Sequence, residues 1–205
     1  MFMPETVHIG SDLNLVDCRF PVQCVIRLQT NEHHDYRAYG GRIACGVFKP
    51  GDQVMVLPSG FTSRISGIDT PIGPVSETFA PMSVSIRLEN ELDISRGDML
   101  VRASNVPTVS QDIELMICYM TPAKLQTNGK YFIRHTTREA RCVIKEILYK
   151  VEISTLHHIQ DDKAIGMNDI ARILLRTTKP FLFDKYQINR NTGSVILIDE
   201  GTNKQ

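Results

Sequence analysis

Adjacent histidines are the first residues in this 205-residue chain whose types could support chemistry. They occur as His33-His34 and His157-His158, each pair in a polar segment that also contains acidic residues. Successive side chains of an extended chain point to opposite faces, so an adjacent pair has poor geometry for holding one metal ion. We interpret both pairs as solvated loop histidines and predict no metal site.

A basic cluster within residues 134–141 is the second candidate. Its arginines could bind phosphate, RNA or the carboxylates of a protein partner, because all of these accept the same planar guanidinium donors. Glu139 neutralises part of the charge, and an ordinary solvated strand face is the competing interpretation. The residues that we predict to contact a partner are Arg134, His135, Arg138, Arg141, His157 and His158.

Aromatic residues near the C-terminus could instead stack on nucleobases: Phe181, Phe183 and Tyr186 lie beside Lys185. At this spacing in a β-rich chain we interpret them as core residues. The sequence contains no phosphate-binding G-x-x-x-x-G-K-[ST] loop, no G-x-G-x-x-G and no G-x-S-x-G nucleophile motif. We therefore predict no catalytic, cofactor-binding or metal-binding residue in this chain.

Composition narrows the class of protein. Lysine plus arginine and aspartate plus glutamate number 23 each, so no net charge favours nucleic acid or an anionic membrane surface. No apolar run approaches the roughly 20 residues that a bilayer-spanning helix needs, and the N-terminus lacks a signal-peptide pattern. Five scattered cysteines are typical of reduced thiols, which predicts a cytoplasmic protein.

The elements that must position these residues are short strands. Met82, Val84, Ile86 and Leu88 alternate with polar residues, and similar runs recur between turns along the whole chain. The glycine-rich stretch 36–60 predicts a strongly curved β-hairpin, with a tight turn at 49–52. We expect residues 29–37 to form a polar loop and the long strand pattern at 140–153 to contain a bend or a hairpin.

The predicted fold class is all-β, with two consecutive small antiparallel β-barrels. We place a connector at residues 1–20, one barrel at 21–104, a second at 107–200 and a tail at 201–205. The boundary falls in the small, polar, proline-containing segment 103–109, which is typical of a linker.

Several motifs in this order resemble the β-barrels of translational GTPases of the elongation factor Tu type. Gly41, Ile43, Gly46, Gly51 and Asp52 match that family's G-x-(V/I)-x-x-G-x-x-x-x-G-D pattern in its second domain. The segment that begins at Gly129-Lys130-Tyr131 and continues through His135-Thr136 to Cys142 is similar to the start of the third domain. The resemblance implies an elongation factor Tu domain 2-like barrel followed by a domain 3-like barrel.

A narrower resemblance covers nearly the whole chain, from about residue 4 to residue 200. RFPVQ at 19–23, VLPSG at 56–60, DISRGD at 93–98 and KPFLFDKYQINRNTGSVILID at 179–199 are similar to the large subunit of bacterial sulfate adenylyltransferase. In that family a GTPase domain precedes the two barrels, and a small catalytic subunit makes adenosine 5′-phosphosulfate and pyrophosphate from ATP and sulfate. In some members a kinase domain follows the barrels.

The resemblance implies that this chain braces its GTPase domain and docks the catalytic subunit. The motifs that bind GTP and Mg²⁺ in the family have no counterpart here, so those cofactors belong to a missing GTPase domain and the chain alone is predicted to be inactive. Two alternatives remain open: a transfer-RNA-binding barrel module of an elongation factor-like GTPase, which the neutral charge disfavours, and a plain scaffold with another partner.

Overall fold

A computed structural model describes the backbone of residues 14–30 and 33–200, with side chains throughout those ranges except at 28–35. The regular secondary structure of the described chain is antiparallel sheet, apart from a single helical turn near its end. Residues 1–13 of the predicted connector and the predicted tail at 201–205 lie outside the described residues. Within the described residues, no helix has the length and apolar character needed to cross a membrane.

The first sheet closes on itself. Its hydrogen-bonded order is β4-β9-β1-β2-β8-β5, and β5 pairs again with β4, so these six strands form a closed ring without a free edge. β6 pairs antiparallel with the end of β5, whereas β3 and β7 form a small sheet of their own. The strands are β1 (Arg19–Thr30), β2 (His33–Arg42), β3 (Val47–Phe48), β4 (Gln53–Leu57), β5 (Thr62–Thr70), β6 (Gly73–Pro74), β7 (Thr78–Phe79), β8 (Ser83–Leu88) and β9 (Met99–Arg102).

The second sheet has the order β10-β14-β12-β11-β15, and the short β13 pairs with β12. β12 runs without interruption over fourteen residues, but its register against β14 shifts between Ile144 and Glu146 and again between Ile147 and Tyr149. Such bulges bend a strand, which confirms the predicted bend. The elements are β10 (Thr108–Cys118), β11 (Lys130–His135), β12 (Arg138–Val151), β13 (His158–Ile159), β14 (Ile170–Phe183), α1 (Arg190–Gly193) and β15 (Ile196–Asp199).

Each sheet surrounds its own apolar core. Phe20, Phe48 and Ile86 belong to the first core, and Ile133 and Phe181 to the second. These residues are 0–1% exposed, because alternate residues of each strand point inward. The all-β fold of two consecutive antiparallel barrels is confirmed. The interpretation of the C-terminal aromatic residues as core is confirmed for Phe181, and Phe183 packs against the core, but it is wrong for Tyr186, which is 55% exposed.

The predicted hairpin at 36–60 is wrong. β2 pairs with β1 and β8, whereas β4 pairs with β5 and β9, so the two strands on either side of the glycine-rich turns never meet. The residues between them leave the sheet and bond to the chain before β1: Gly46 N–H donates to the Asn14 carbonyl at 2.7 Å. The stretch is therefore a crossover between β2 and β4, which lie on opposite sides of the six-strand ring.

The turn at 49–52 has the predicted form. The Asp52 backbone N–H donates to the Lys49 carbonyl at 3.1 Å, and the Lys49 N–H donates to the Asp52 carboxylate at 3.0 Å. Gly51 has a φ of +91°, which glycine adopts at little cost.

The polar loop predicted at 29–37 is also wrong, because β1 extends to Thr30 and β2 begins at His33. Thr30 pairs with His33, so β1 and β2 remain paired up to the short connection between them. The side chains of His33 and His34 lie outside the described residues. This polar segment forms strand because β1 and β2 supply each other's backbone partners there.

Candidate functional site on the second barrel

A buried ion pair fixes how the two barrels lie against each other. Arg19, at the start of β1, makes two parallel hydrogen bonds to the Asp184 carboxylate just after β14, each 3.0 Å long. The side chains are only 2% and 10% exposed. The guanidinium also donates to the Asn105 carbonyl at 2.8 Å and to its side-chain oxygen at 2.9 Å, so all three nitrogens have acceptors.

Apolar and polar contacts extend this joint. Leu57, Met99 and Val101 of the first barrel pack with Leu182 of the second in a separate buried cluster. Asn189 donates to the Cys45 sulfur across the same boundary at 2.7 Å. The outer face of the second barrel is therefore held at a fixed orientation to the first.

The predicted basic cluster is divided between the interior and the surface. His135 is 1% exposed, and its Nε2 lies 2.8 Å from the Thr192 carbonyl. Arg138 points at the first barrel, where it donates to the Gly97 carbonyl at 3.0 Å and lies 3.5 Å from the Asp98 carboxylate. The prediction that His135 and Arg138 contact a partner is corrected here: strand alternation buries the first, and the barrel–barrel joint engages the second.

Burial gives His135 a measurable role in stability. Burial lowers the pKa of His135 below its ordinary value, and the nearby Arg138 charge acts in the same direction. The Thr192 carbonyl and the Asp184 carboxylate oppose this shift. The unfolded chain therefore binds the proton more readily than the folded chain does. The contribution of His135 to the free energy of unfolding should be fully present above about pH 6.5 and should be lost as the pH falls below that value.

We expect His135→Gln to flatten the pH dependence of the urea unfolding midpoint between about pH 7.5 and 5.5. Glutamine keeps an N–H donor for the Thr192 carbonyl but cannot gain a proton. His157→Gln, at an exposed position, controls for the loss of one histidine. A slope that survives in His135→Gln would contradict this assignment.

Arg134 and Arg141 are the outward members of the basic cluster. Arg134 pairs with Glu139 at 2.7 Å, and Arg141 pairs with Glu200 at 2.9 Å. The Arg141 guanidinium also lies 5.5 Å from the centre of the Phe132 ring. Both arginines are more than half exposed and remain available to a partner.

A surface groove of about 1000 Å³ continues from Arg141 across the outer face of β11, β12 and β14. Its floor follows a cross-strand row in which Val143 pairs with Lys130 on one side and with Arg176 on the other. Lys145, two residues along β12 from Val143, lines the same groove. Lys130, Lys145 and Arg176 were not among the predicted contact residues, although the alternate spacing of Arg141, Val143 and Lys145 in the sequence indicates a shared outward face.

The groove carries more positive than negative side chains. Asp112 pairs with both Lys145, at 2.9 Å, and Arg176, at 3.4 Å, and the Lys145 hydrogen bond lowers the pKa of the Asp112 carboxyl. Glu200 accepts from Arg141. Four cations therefore face two carboxylates, and Lys130 makes no ion pair with any residue that the structure describes.

His157 and His158 lie away from this groove. Both are exposed, and His158 of β13 stacks on the Tyr149 ring with centroids 4.0 Å apart. His158 pairs with Val151, ten residues along β12 from Arg141, which is roughly 30 Å of extended strand. The predicted contact residues therefore do not form one patch. Over residues 14–30 and 33–200, no group of three or more histidine, cysteine or acidic residues could hold a metal ion.

Solved structures define the class of fold. Sup35 in complex with GDP matches 91% of this chain and 45% of its own, with a TM-score of 0.80 and 17% identity. A bacterial selenocysteine-specific elongation factor matches 96% of this chain and 28% of its own, with a TM-score of 0.68 and 16% identity. The two barrels thus share the fold of the matched parts of these two proteins. Residues 112–204 match the family described as GTP-eEF1A C-terminal domain-like.

Proteins matched by sequence are much more similar to this chain than the solved structures are. The chain is 48% identical over 200 residues to the bifunctional enzyme CysN/CysC of Mycobacterium tuberculosis, and 42% identical over 207 residues to sulfate adenylyltransferase subunit 1 of Bacteroides thetaiotaomicron. Each match covers 97% of this chain, but only 33% and 42% of the relatives. The resemblance to sulfate adenylyltransferase subunit 1 is confirmed over nearly the whole chain, which spans about a third to two fifths of the length of these relatives.

Proposed function

We propose that these two barrels belong to the GTP-hydrolysing subunit of a cytoplasmic sulfate adenylyltransferase. In this role they brace the subunit's own GTPase domain and dock the small catalytic subunit, which forms adenosine 5′-phosphosulfate and pyrophosphate from ATP and sulfate. The observation that carries the proposal is the 42–48% identity to sulfate adenylyltransferase subunit 1 and CysN/CysC over 97% of the chain. GTP and Mg²⁺ would be bound by the GTPase domain and not by these residues.

The geometry suits a rigid brace. The buried Arg19–Asp184 pair and the Leu57–Met99–Val101–Leu182 cluster hold the barrels as one body. A change of GTP state that moves the GTPase domain would then move both barrels together, and the contacts that they offer to the catalytic subunit would change as a unit. Arg134 and Arg141, the outward members of the basic cluster, are the proposed docking contacts near β11, with His157 and His158 as separate candidates.

The direct test uses the purified 205-residue chain, the full-length subunit and the small catalytic subunit of the same organism. We expect the chain to bind the small subunit in isothermal titration calorimetry, to show no binding of a fluorescent GTP analogue, and to form no adenosine phosphosulfate by itself. The full-length subunit provides the positive control for GTP binding. Tight GTP binding by the chain, or failure to bind the small subunit under conditions where the full-length subunit binds, would overturn the proposal.

A further inference from the structure

The groove on the second barrel has an amphipathic floor. Val143 is 37% exposed at its centre, and its strand partners on both sides are the cations Lys130 and Arg176. Arg141 and Lys145 lie two residues before and after it on the same outward face of β12. An apolar contact point is thus surrounded by four positive side chains.

Three features favour a polypeptide over a nucleic acid as the occupant. Asp112 and Glu200 lie among the cations and would repel a continuous phosphate backbone. The apolar Val143 occupies the centre, where a base-stacking platform would require an aromatic side chain. The excess of two positive charges matches a segment that carries a few carboxylates, because guanidinium and ammonium groups form charge-assisted hydrogen bonds with them.

We propose that this groove docks an acidic segment of a partner protein, with one apolar side chain of the segment on Val143 and its carboxylates on Lys130, Arg141 and Arg176. The chemistry of the occupant follows from the groove alone; its identification as part of the small catalytic subunit rests on the proposed function. Lys130, which has no ion-pair partner among the described residues, is the cation most readily available to a carboxylate.

The test compares two double charge reversals in the 205-residue chain. Arg141→Glu/Arg176→Glu changes the groove, and Arg42→Glu/Arg64→Glu makes the same change of charge at exposed positions on the first barrel. Circular dichroism melting establishes that both variants are folded. We expect the groove variant to bind the small subunit at least about tenfold more weakly, the first-barrel variant to bind like the wild type, and wild-type binding to weaken with added salt.

A second variant and a second binding probe distinguish failure of the groove inference from failure of the proposed function. Val143→Glu should also weaken binding, because it places a carboxylate where the apolar side chain docks. If the small subunit does not bind the wild-type chain, the proposed function fails, and the groove is then tested with a fluorescein-labelled peptide of alternating glutamate and leucine. The groove inference is supported if this peptide binds the wild type and loses affinity only in the groove variants.

Three results would overturn the inference. One is equal binding of the small subunit by the groove and first-barrel variants, which leaves the proposed function intact. Another is the absence of peptide binding to the wild type when the small subunit also fails to bind. The third is tighter binding of labelled transfer RNA than of either protein probe, lost in the groove variant, which would assign the surface to nucleic acid.

Discussion

Replacing Arg19 with alanine should lower the free energy of unfolding by about 3–5 kcal/mol, the usual cost of removing one partner of a buried ion pair. The variant leaves the Asp184 carboxylate, which is 10% exposed, without its bidentate donor. It also leaves the Asn105 carbonyl without its guanidinium partner. For a chain of this size the loss corresponds to a fall in Tm of roughly 10 °C.

The matched control is Arg134→Ala. Its pair with Glu139 is also a short arginine–carboxylate contact, at 2.7 Å, but the two side chains are 52% and 44% exposed. An exposed pair contributes about 0–1 kcal/mol, so the control should change little. Because the chain has no tryptophan, urea unfolding is best followed by far-UV circular dichroism.

A double-mutant cycle isolates the pair itself. Once Asp184→Ala has removed the carboxylate, Arg19→Ala should cost much less than it does alone, because the uncompensated charge is gone. Equal costs of Arg19→Ala in the two backgrounds, or a loss no larger than that of Arg134→Ala, would mean that the ion pair does not hold the barrels together.

This ion pair also marks the limit of prediction from sequence. Alternation of apolar and polar residues was enough to predict most strands and the two barrels, because inward and outward faces follow from the period of two, but it missed the polar strand ends at 29–37. Arg19 and Asp184 are 165 positions apart, and nothing in either neighbourhood indicates that they meet. An arginine is rarely buried without a partner, and only the tertiary fold supplies that partner here.

Strand alternation in the sequence already distinguishes the buried from the exposed members of the basic cluster. In β11, Tyr131 and Ile133 are inward residues, so alternation alone places His135 inside and Arg134 outside. The row from Lys130 through Val143 to Arg176 was harder to predict from the sequence. Its cross-strand register depends on how β11, β12 and β14 pair, which the sequence of a single strand does not specify.

Substituting alanine for Gly46 should be the most damaging change in the crossover stretch, with a loss of about 2–5 kcal/mol in the free energy of unfolding. Gly46 has a φ of +81°, where a residue with a Cβ is strained by about 1–2 kcal/mol. A Cβ there would also lie 2.5 Å from the Cys18 Cα and 2.7 Å from the Asp17 carbonyl oxygen. Both obstacles are backbone atoms, so the chain must shift, at a further cost of roughly 1–3 kcal/mol.

Gly51→Ala separates strain from collision. Gly51 has a similar φ of +91°, but a Cβ there meets no atom within 4 Å, so only the strain of positive φ should be measured. The excess loss at Gly46 then reports the close approach of the crossover to the segment that leads into Arg19. Because Gly46→Ala displaces residues 17 and 18, it should also weaken the Arg19–Asp184 pair, and its loss combined with Arg19→Ala should be less than additive. Equal losses at Gly46 and Gly51 in urea unfolding would show that the crossover can relax, and that the glycine is needed only for its dihedral angle.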